Sequence, residues 1–304
     1  GSLTGLQHAH NGFDLPIAGM LHTDCPHHYH HAQDGESERD FSARLAANLE
    51  RLIEEEGPDT IGGFIAEPFL GAGGVIEPPQ GYFEAIMPIL DRHDILFIVD
   101  EVISGFFRTG DRFCTETYRL KPDMISVAKA LSAAYQPIGG VMVSERVYQV
   151  LLEGSRRYGM FGTGFTYSGH PVSCATALKN IEIMEREDLL GNAATVGDYF
   201  LDQLTGLEAL PLVGQVRGRR LMVCVENVAN KATKAPLPDE VNESKRISNL
   251  CEEMGLIVRP MGHLNVMSPP LVITTENVDF VVETLGKAIA RVTDELVREG
   301  HRIG

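Results

Sequence analysis

The stretch Ile95-Leu96-Phe97-Ile98-Val99-Asp100-Glu101 runs through consecutive apolar residues and stops abruptly at two carboxylates. A short run of this kind, rich in β-branched and aromatic residues, reads as a buried strand. Its surroundings repeat the pattern. Residues 61–66 are apolar and end in Glu67-Pro68, residues 124–128 end at Lys129, and residues 138–143 form a fourth run. Between these runs the periodicity changes. Residues 40–56 place Phe41, Leu45, Leu49 and Ile53 on one helical face, and Gly57-Pro58 stops them. Residues 82–92 also read as a helix, which Pro88 is expected to kink or shorten. Strands alternating with helices predict an α/β fold: a mostly parallel sheet covered by helices.

The second half changes character. A long helix is expected over 171–186, with Pro171 tolerated at its start, where its missing N–H would be unpaired anyway. Residues 213–225, interrupted by Gly218, read as strand material. A helix over 244–254 closes on Gly255, short strands follow around 256–259 and 265–267, and an amphipathic helix covers 276–298. This order predicts a large domain over 1–192 and a smaller C-terminal α+β domain over 193–304.

Composition narrows the function. The 304 residues are 43% hydrophobic and 22% charged, enough apolar content for a core without staples. With 26 basic against 42 acidic residues the formal charge is −16, and no basic run offers a phosphate backbone a landing place, so no nucleic acid partner is expected. Five scattered cysteines without a Cys-x-x-Cys pair argue against a disulfide framework and for a reducing cytoplasm. No apolar run approaches the roughly 18 residues of a membrane span. The first thirty residues do not read as a signal peptide. The His-rich segment Asp24-Cys25-Pro26-His27-His28-Tyr29-His30-His31 lacks a spaced ligand pattern, so no metal is expected. Gly71-Ala72-Gly73-Gly74 lacks the Lys-Ser or Lys-Thr of a phosphate loop and reads as a turn.

Ligands of open parallel sheets sit at the carboxyl ends of the strands. Glu67, Asp100, Glu101 and Lys129 all fall at such ends. Asp100 emerging from a buried strand needs a cation or donors, since desolvating it alone is costly. Lys129 in a half-buried pocket would be a nucleophilic amine. On pattern alone, an Asp100–Lys129 ion pair or two unrelated strand ends explain these residues as well as chemistry does.

A longer pattern separates the readings. Phe64-Ile65-Ala66-Glu67-Pro68, then Ile98-Val99-Asp100-Glu101-Val102-Ile103-Ser104-Gly105-Phe106-Phe107-Arg108-Thr109-Gly110, then Ser126-Val127-Ala128-Lys129-Ala130-Leu131, then Phe165-Thr166-Tyr167-Ser168-Gly169-His170-Pro171 occur in that order. Together they resemble the class III (omega) aminotransferases, pyridoxal 5'-phosphate enzymes of fold type I, from residue 1 to the C-terminus. The resemblance implies that Lys129 holds the cofactor covalently, that Asp100 faces the pyridine nitrogen and keeps it protonated, and that Val102 presses on one ring face. It further implies that Thr166 contacts the cofactor phosphate of a neighbouring subunit, in a homodimer with shared active sites, and that Glu67 lines the site. Arg108, in an Arg-Thr-Gly turn, reads as structural. Arg259, after Gly255-Leu256-Ile257-Val258, resembles the arginine that grips a substrate carboxylate in amine–pyruvate members, a role suited to its two parallel donors.

The activity so implied is transfer of an amino group from an amine or omega-amino acid to pyruvate or a similar 2-oxo acid. The alternatives are an aminomutase, racemase or decarboxylase on the same fold, or an inactive structural relative. Two departures from the family stand out. The Gly-Ser phosphate turn and ring-stacking aromatic ahead of the residue equivalent to Leu3 are missing, so the chain reads as truncated at its N-terminus. Phe107 stands where the signature usually has glycine.

Overall fold

A computed structural model describes residues 1–304. The chain divides into two compact units, one of residues 1–68, 78–103 and 115–178, the other of residues 69–77, 104–114 and 179–304.

The first unit is built on a four-stranded sheet in the order β1 (Gly63–Ala66), β2 (Leu96–Asp100), β3 (Met124–Val127), β4 (Gly140–Val143). β1, β2 and β3 run parallel, and β4 closes the row antiparallel to β3. Helix α1 (Glu38–Glu56) begins at Ser37, whose Oγ accepts from the Asp40 amide at 3.2 Å, and ends where Gly57 takes φ 89°, a turn only glycine makes without strain. Its stripe Phe41, Leu45, Leu49 and Ile53 is buried against Phe83, Ile86 and Leu90 of α2 (Tyr82–Arg92) and against Phe97 and Val99 of β2. Each such side chain, fully buried, contributes about 1.5–3 kcal/mol. The burial alternates along β2, so Leu96, Ile98 and Asp100 lie on the opposite, half-buried face. Pro88 does not end α2, which continues to Arg92. The helix α3 (Glu145–Tyr158), capped by Ser144, was not expected from the sequence. α4 (Pro171–Arg186) matches the expected span.

The second unit carries a four-stranded antiparallel sheet in the order β5 (Val213–Arg219), β6 (Met222–Asn227), β8 (Leu264–Met267), β7 (Arg259–Met261). The single run expected over 213–225 is a hairpin, turned at Arg220-Leu221 with Arg220 at φ 54°. Glycine at 218 is required there: an added Cβ would lie 2.6 Å from the Val223 Cα. The expected strand over 256–259 begins instead at Arg259. The Leu256 amide is drawn back to Cys251 O at 2.8 Å, which closes the preceding helix. Pro260, lacking an N–H, is tolerated because β7 is an edge. Three helices complete the unit: α5 (Leu189–Thr205), unexpected from the sequence and capped by Asp188; α6 (Glu243–Glu253); and α7 (Thr275–Arg298), opened by a reciprocal Thr274–Asn277 capping box.

Within this second unit His263, in the turn between β7 and β8, hydrogen-bonds through Nδ1 to buried Glu243 at 2.8 Å, with Asp239 at 3.4 Å from Nε2. The Glu243 hydrogen bond, aided by the charges of Glu243, Asp239 and Glu226, raises the imidazole above its usual range. Stability from a raised group is fully present below the unfolded value of about 6.5 and is lost as pH rises through the folded value. Urea midpoints of wild type and His263→Gln should therefore differ most near pH 6 and converge as the pH rises through the imidazole's raised folded value. A difference that grows with pH would contradict this account.

Candidate active site at the carboxyl ends of the parallel strands

The register of the first unit decides what meets at its strand ends. Ala66 pairs with Val99 and Asp100 pairs with Ser126, so Glu67, Asp100 and Lys129 leave three adjacent parallel strands on the same edge. Neighbouring strands lie about 4.8 Å apart, so this edge spans roughly 10 Å between β1 and β3.

Asp100 is half-buried, and its Oδ1 accepts two hydrogen bonds, from the Val102 amide at 2.9 Å and from Ser126 Oγ at 3.0 Å. Its second oxygen has no protein donor. Glu101, the next residue, is completely buried and takes a different role: its Oε1 accepts from both the amide and the hydroxyl of Thr115, each at 2.5 Å. Adjacent carboxylates thus divide their tasks, one anchored inward and one offered at the strand end. Val102 is half-buried beside Asp100, and Glu67 is half-buried after β1.

Lys129 opens a single 3-10 turn, Lys129–Leu131, and sits at φ 43°. A left-handed backbone costs a residue with a Cβ about 1–2 kcal/mol, so the fold holds this lysine against a local preference. Its side chain is exposed, not half-buried as expected, and its ammonium forms neither an ion pair nor a hydrogen bond. The Asp100–Lys129 ion pair allowed by the sequence does not form.

Thr166 lies in an exposed turn closed by the Ser168 amide on Phe165 O at 2.9 Å, and it makes no hydrogen bond. Arg259, in the second unit, is exposed at the start of β7, opposite Val266. Arg108 Nη1 donates to Leu221 O at 3.0 Å and Pro269 O at 2.5 Å, and desolvation pulls its guanidinium down to about 10. Its contacts within this unit are with backbone, as its turn implied. The Gly71–Gly74 stretch is a turn between the bridged residues Leu70 and Ile76, with Gly74 O held by Arg217 at 2.7 Å.

The model of the class-III aminotransferase family matches residues 2–289. The chain belongs to the class-III aminotransferases. It is 48% identical to an uncharacterized aminotransferase of Sinorhizobium fredii over all of its length and 66% of the relative's. It is 45% identical to a diaminobutyrate–2-oxoglutarate transaminase of Halomonas elongata, over 99% of the chain and 65% of the relative. The chain thus spans just under two thirds of the length of these relatives. The omega transaminase of Pseudomonas jessenii, solved in complex with PMP, superposes with a TM-score of 0.96 at 42% identity, over 98% of this chain and 66% of that one. At that identity the likeness establishes the fold, the α/β arrangement of fold type I pyridoxal-phosphate transferases.

Phe107 marks a local departure with an energetic consequence. Phe106 and Phe107 are both buried and both left-handed, at φ 56° and 73°. Glycine at 107 would relieve about 1–2 kcal/mol of backbone strain but forfeit the 3–5 kcal/mol of a buried phenyl ring. Phe107→Gly should therefore destabilise the protein by about 2 kcal/mol, read from its urea midpoint, although the family signature prefers glycine there. A stabilised variant would show that strain outweighs packing at this turn.

Proposed function

We propose that this chain acts as a pyridoxal 5'-phosphate-dependent aminotransferase that moves an amino group from an amine or omega-amino acid to pyruvate or a similar 2-oxo acid. The observation that carries the reading is the strand edge itself: a strained, unpaired Lys129 beside a carboxylate with one oxygen pinned and one without a donor. The residues fit the cofactor. An unpaired amine suits its aldehyde carbon, and the available Asp100 oxygen suits a protonated ring nitrogen. The Halomonas relative's name and the PMP complex of the Pseudomonas relative support the same assignment.

When bound, pyridoxal 5'-phosphate supplies a ring that withdraws the charge left on the amine-bearing carbon after proton loss. Lys129 would hold the cofactor through Nζ and, once freed as an amine, take the proton from that substrate carbon. Asp100 would keep the ring nitrogen protonated, Val102 would pack against the ring, and Glu67 would line the site. Arg259 receives the carboxylate of the 2-oxo acid. Residues 1–192 would form the cofactor-holding domain and 193–304 the smaller one.

The partner arrangement belongs to the same proposal. Thr166 would reach the phosphate in the neighbouring subunit of a homodimer. The exposure of its flanking residues Phe165 and Tyr167, 83% and 79%, supports a surface covered on assembly. Five cysteines with no disulfide among them support a cytoplasmic setting. No helix is long and apolar enough to cross a membrane.

Borohydride treatment with pyridoxal 5'-phosphate should leave a reduced adduct on Lys129, located by peptide mass, and Lys129→Ala should lose both adduct and turnover. An adduct on Lys121 or Lys179 would remove the assignment. Asp100→Asn should retain some cofactor yet lose about a hundredfold or more in kcat, the scale of a lost preorganised charge contact. Arg259→Ala should weaken 2-oxo acid use by about ten- to a hundredfold, the 1.5–3 kcal/mol of a charge-assisted hydrogen bond, while sparing an amine without a carboxylate. Equal losses for both substrates would instead mark Arg259 as structural.

A further inference from the structure

A carboxylate at a strand end turns freely unless something fixes its plane. Two donors from different segments fix Asp100. The Val102 amide lies two residues along the same chain, and Ser126 Oγ reaches across from β3. Both bind Oδ1, so the plane of the carboxylate, and with it the direction of Oδ2, is set by the pair. The amide alone is a local turn contact, which leaves the group a swing about its own bonds. The serine hydroxyl must be the donor here, because an ionised carboxylate only accepts.

The register makes this contact a property of the sheet. Asp100 and Ser126 are the last positions at which β2 and β3 pair with each other, and the Glu101 amide donates to Ser126 O at 3.0 Å just beyond them. Ser126 is thus held through its backbone while its side chain holds Asp100. It also stands three residues before Lys129, so the strand that aims the carboxylate is the strand that delivers the amine.

We propose that Ser126 is a positioning residue for amino transfer: its hydroxyl pins Asp100 Oδ1 so that Oδ2 faces the cofactor's ring nitrogen. This rests on the assignment of Asp100 made above. The contact is charge-assisted, and charge-assisted hydrogen bonds are the stronger kind, so its loss should be readable without any turnover measurement.

The test compares wild type with Ser126→Ala, Ser126→Cys, Ser126→Thr and Asp100→Asn. Two readouts are taken: the dissociation constant for pyridoxal 5'-phosphate, and the pH at which the bound, 15N-labelled ring nitrogen gives up its proton, followed by NMR. Ser126→Ala should weaken cofactor binding about tenfold and lower that pH by about one unit. Ser126→Cys keeps the volume but donates weakly, so it should behave like the alanine variant even if alanine perturbs folding. Ser126→Thr keeps the hydroxyl and should restore both readouts to within about twofold of wild type. If Ser126→Ala and Ser126→Cys match wild type while Asp100→Asn does not, the inference about Ser126 is overturned and the role of Asp100 stands. A threonine variant as impaired as alanine would also overturn it, marking a packing role. Asp100→Asn indistinguishable from wild type would overturn the underlying assignment as well.

Discussion

The burial of Phe97 and Val99 beneath α1 and α2 is the constraint on which the candidate site depends. Side chains alternate along a strand, so fixing those two on the helix side fixes Leu96, Ile98 and Asp100 on the other. A slip of one residue would exchange every side chain between the faces. Asp100 would then be driven into the packed helices, and burying an unpaired carboxylate costs several kcal/mol. Hydrophobic packing in one layer therefore determines where a charge is presented in the next.

The two carboxylates that follow β2 show how the fold handles charge near a core. Glu101 is completely buried, and the amide and hydroxyl of Thr115 converge on one of its oxygens. Asp100 keeps one oxygen satisfied and the other available. Backbone amides and neutral hydroxyls donate in both cases: Thr115 to Glu101, and Val102 and Ser126 to Asp100. An ion pair with Lys129 would have neutralised Asp100 and consumed the amine; its absence leaves both groups ready for a third.

Backbone strain is held in turns. Lys129, Phe106 and Phe107 all adopt left-handed conformations that residues with a Cβ disfavour. Such conformations persist only when surrounding contacts determine them. For the two phenylalanines those contacts are plain, since both rings are buried. For Lys129 the turn that follows, closed by the Leu131 amide on Ala128 O at 2.9 Å and the Ser132 amide on Lys129 O at 3.2 Å, supplies part of them.

Apolar periodicity was sufficient to read α1, α2, α4 and α7 and the cores of β1, β2 and β3, because 3.6-residue and two-residue repeats are local signals. The sequence also marked Glu67, Asp100 and Lys129 as strand-end groups, since each directly follows an apolar run. It did not reveal α3 or α5. Nor did it show that residues 213–225 fold back as a hairpin, where the turn Arg220-Leu221 has none of the usual glycine or asparagine. Segments 69–77 and 104–114 pack with the second unit, a long-range choice made by contacts such as Arg108 with Leu221 and Arg217 with Gly74. Ser126 was legible only as a residue near the lysine. Its pairing with Asp100 depends on the register between two strands that lie 26 residues apart in the chain. A local repeat determines which face a side chain takes; only the packed sheet decides which side chain stands opposite it, because register is set by the burial of both strands together.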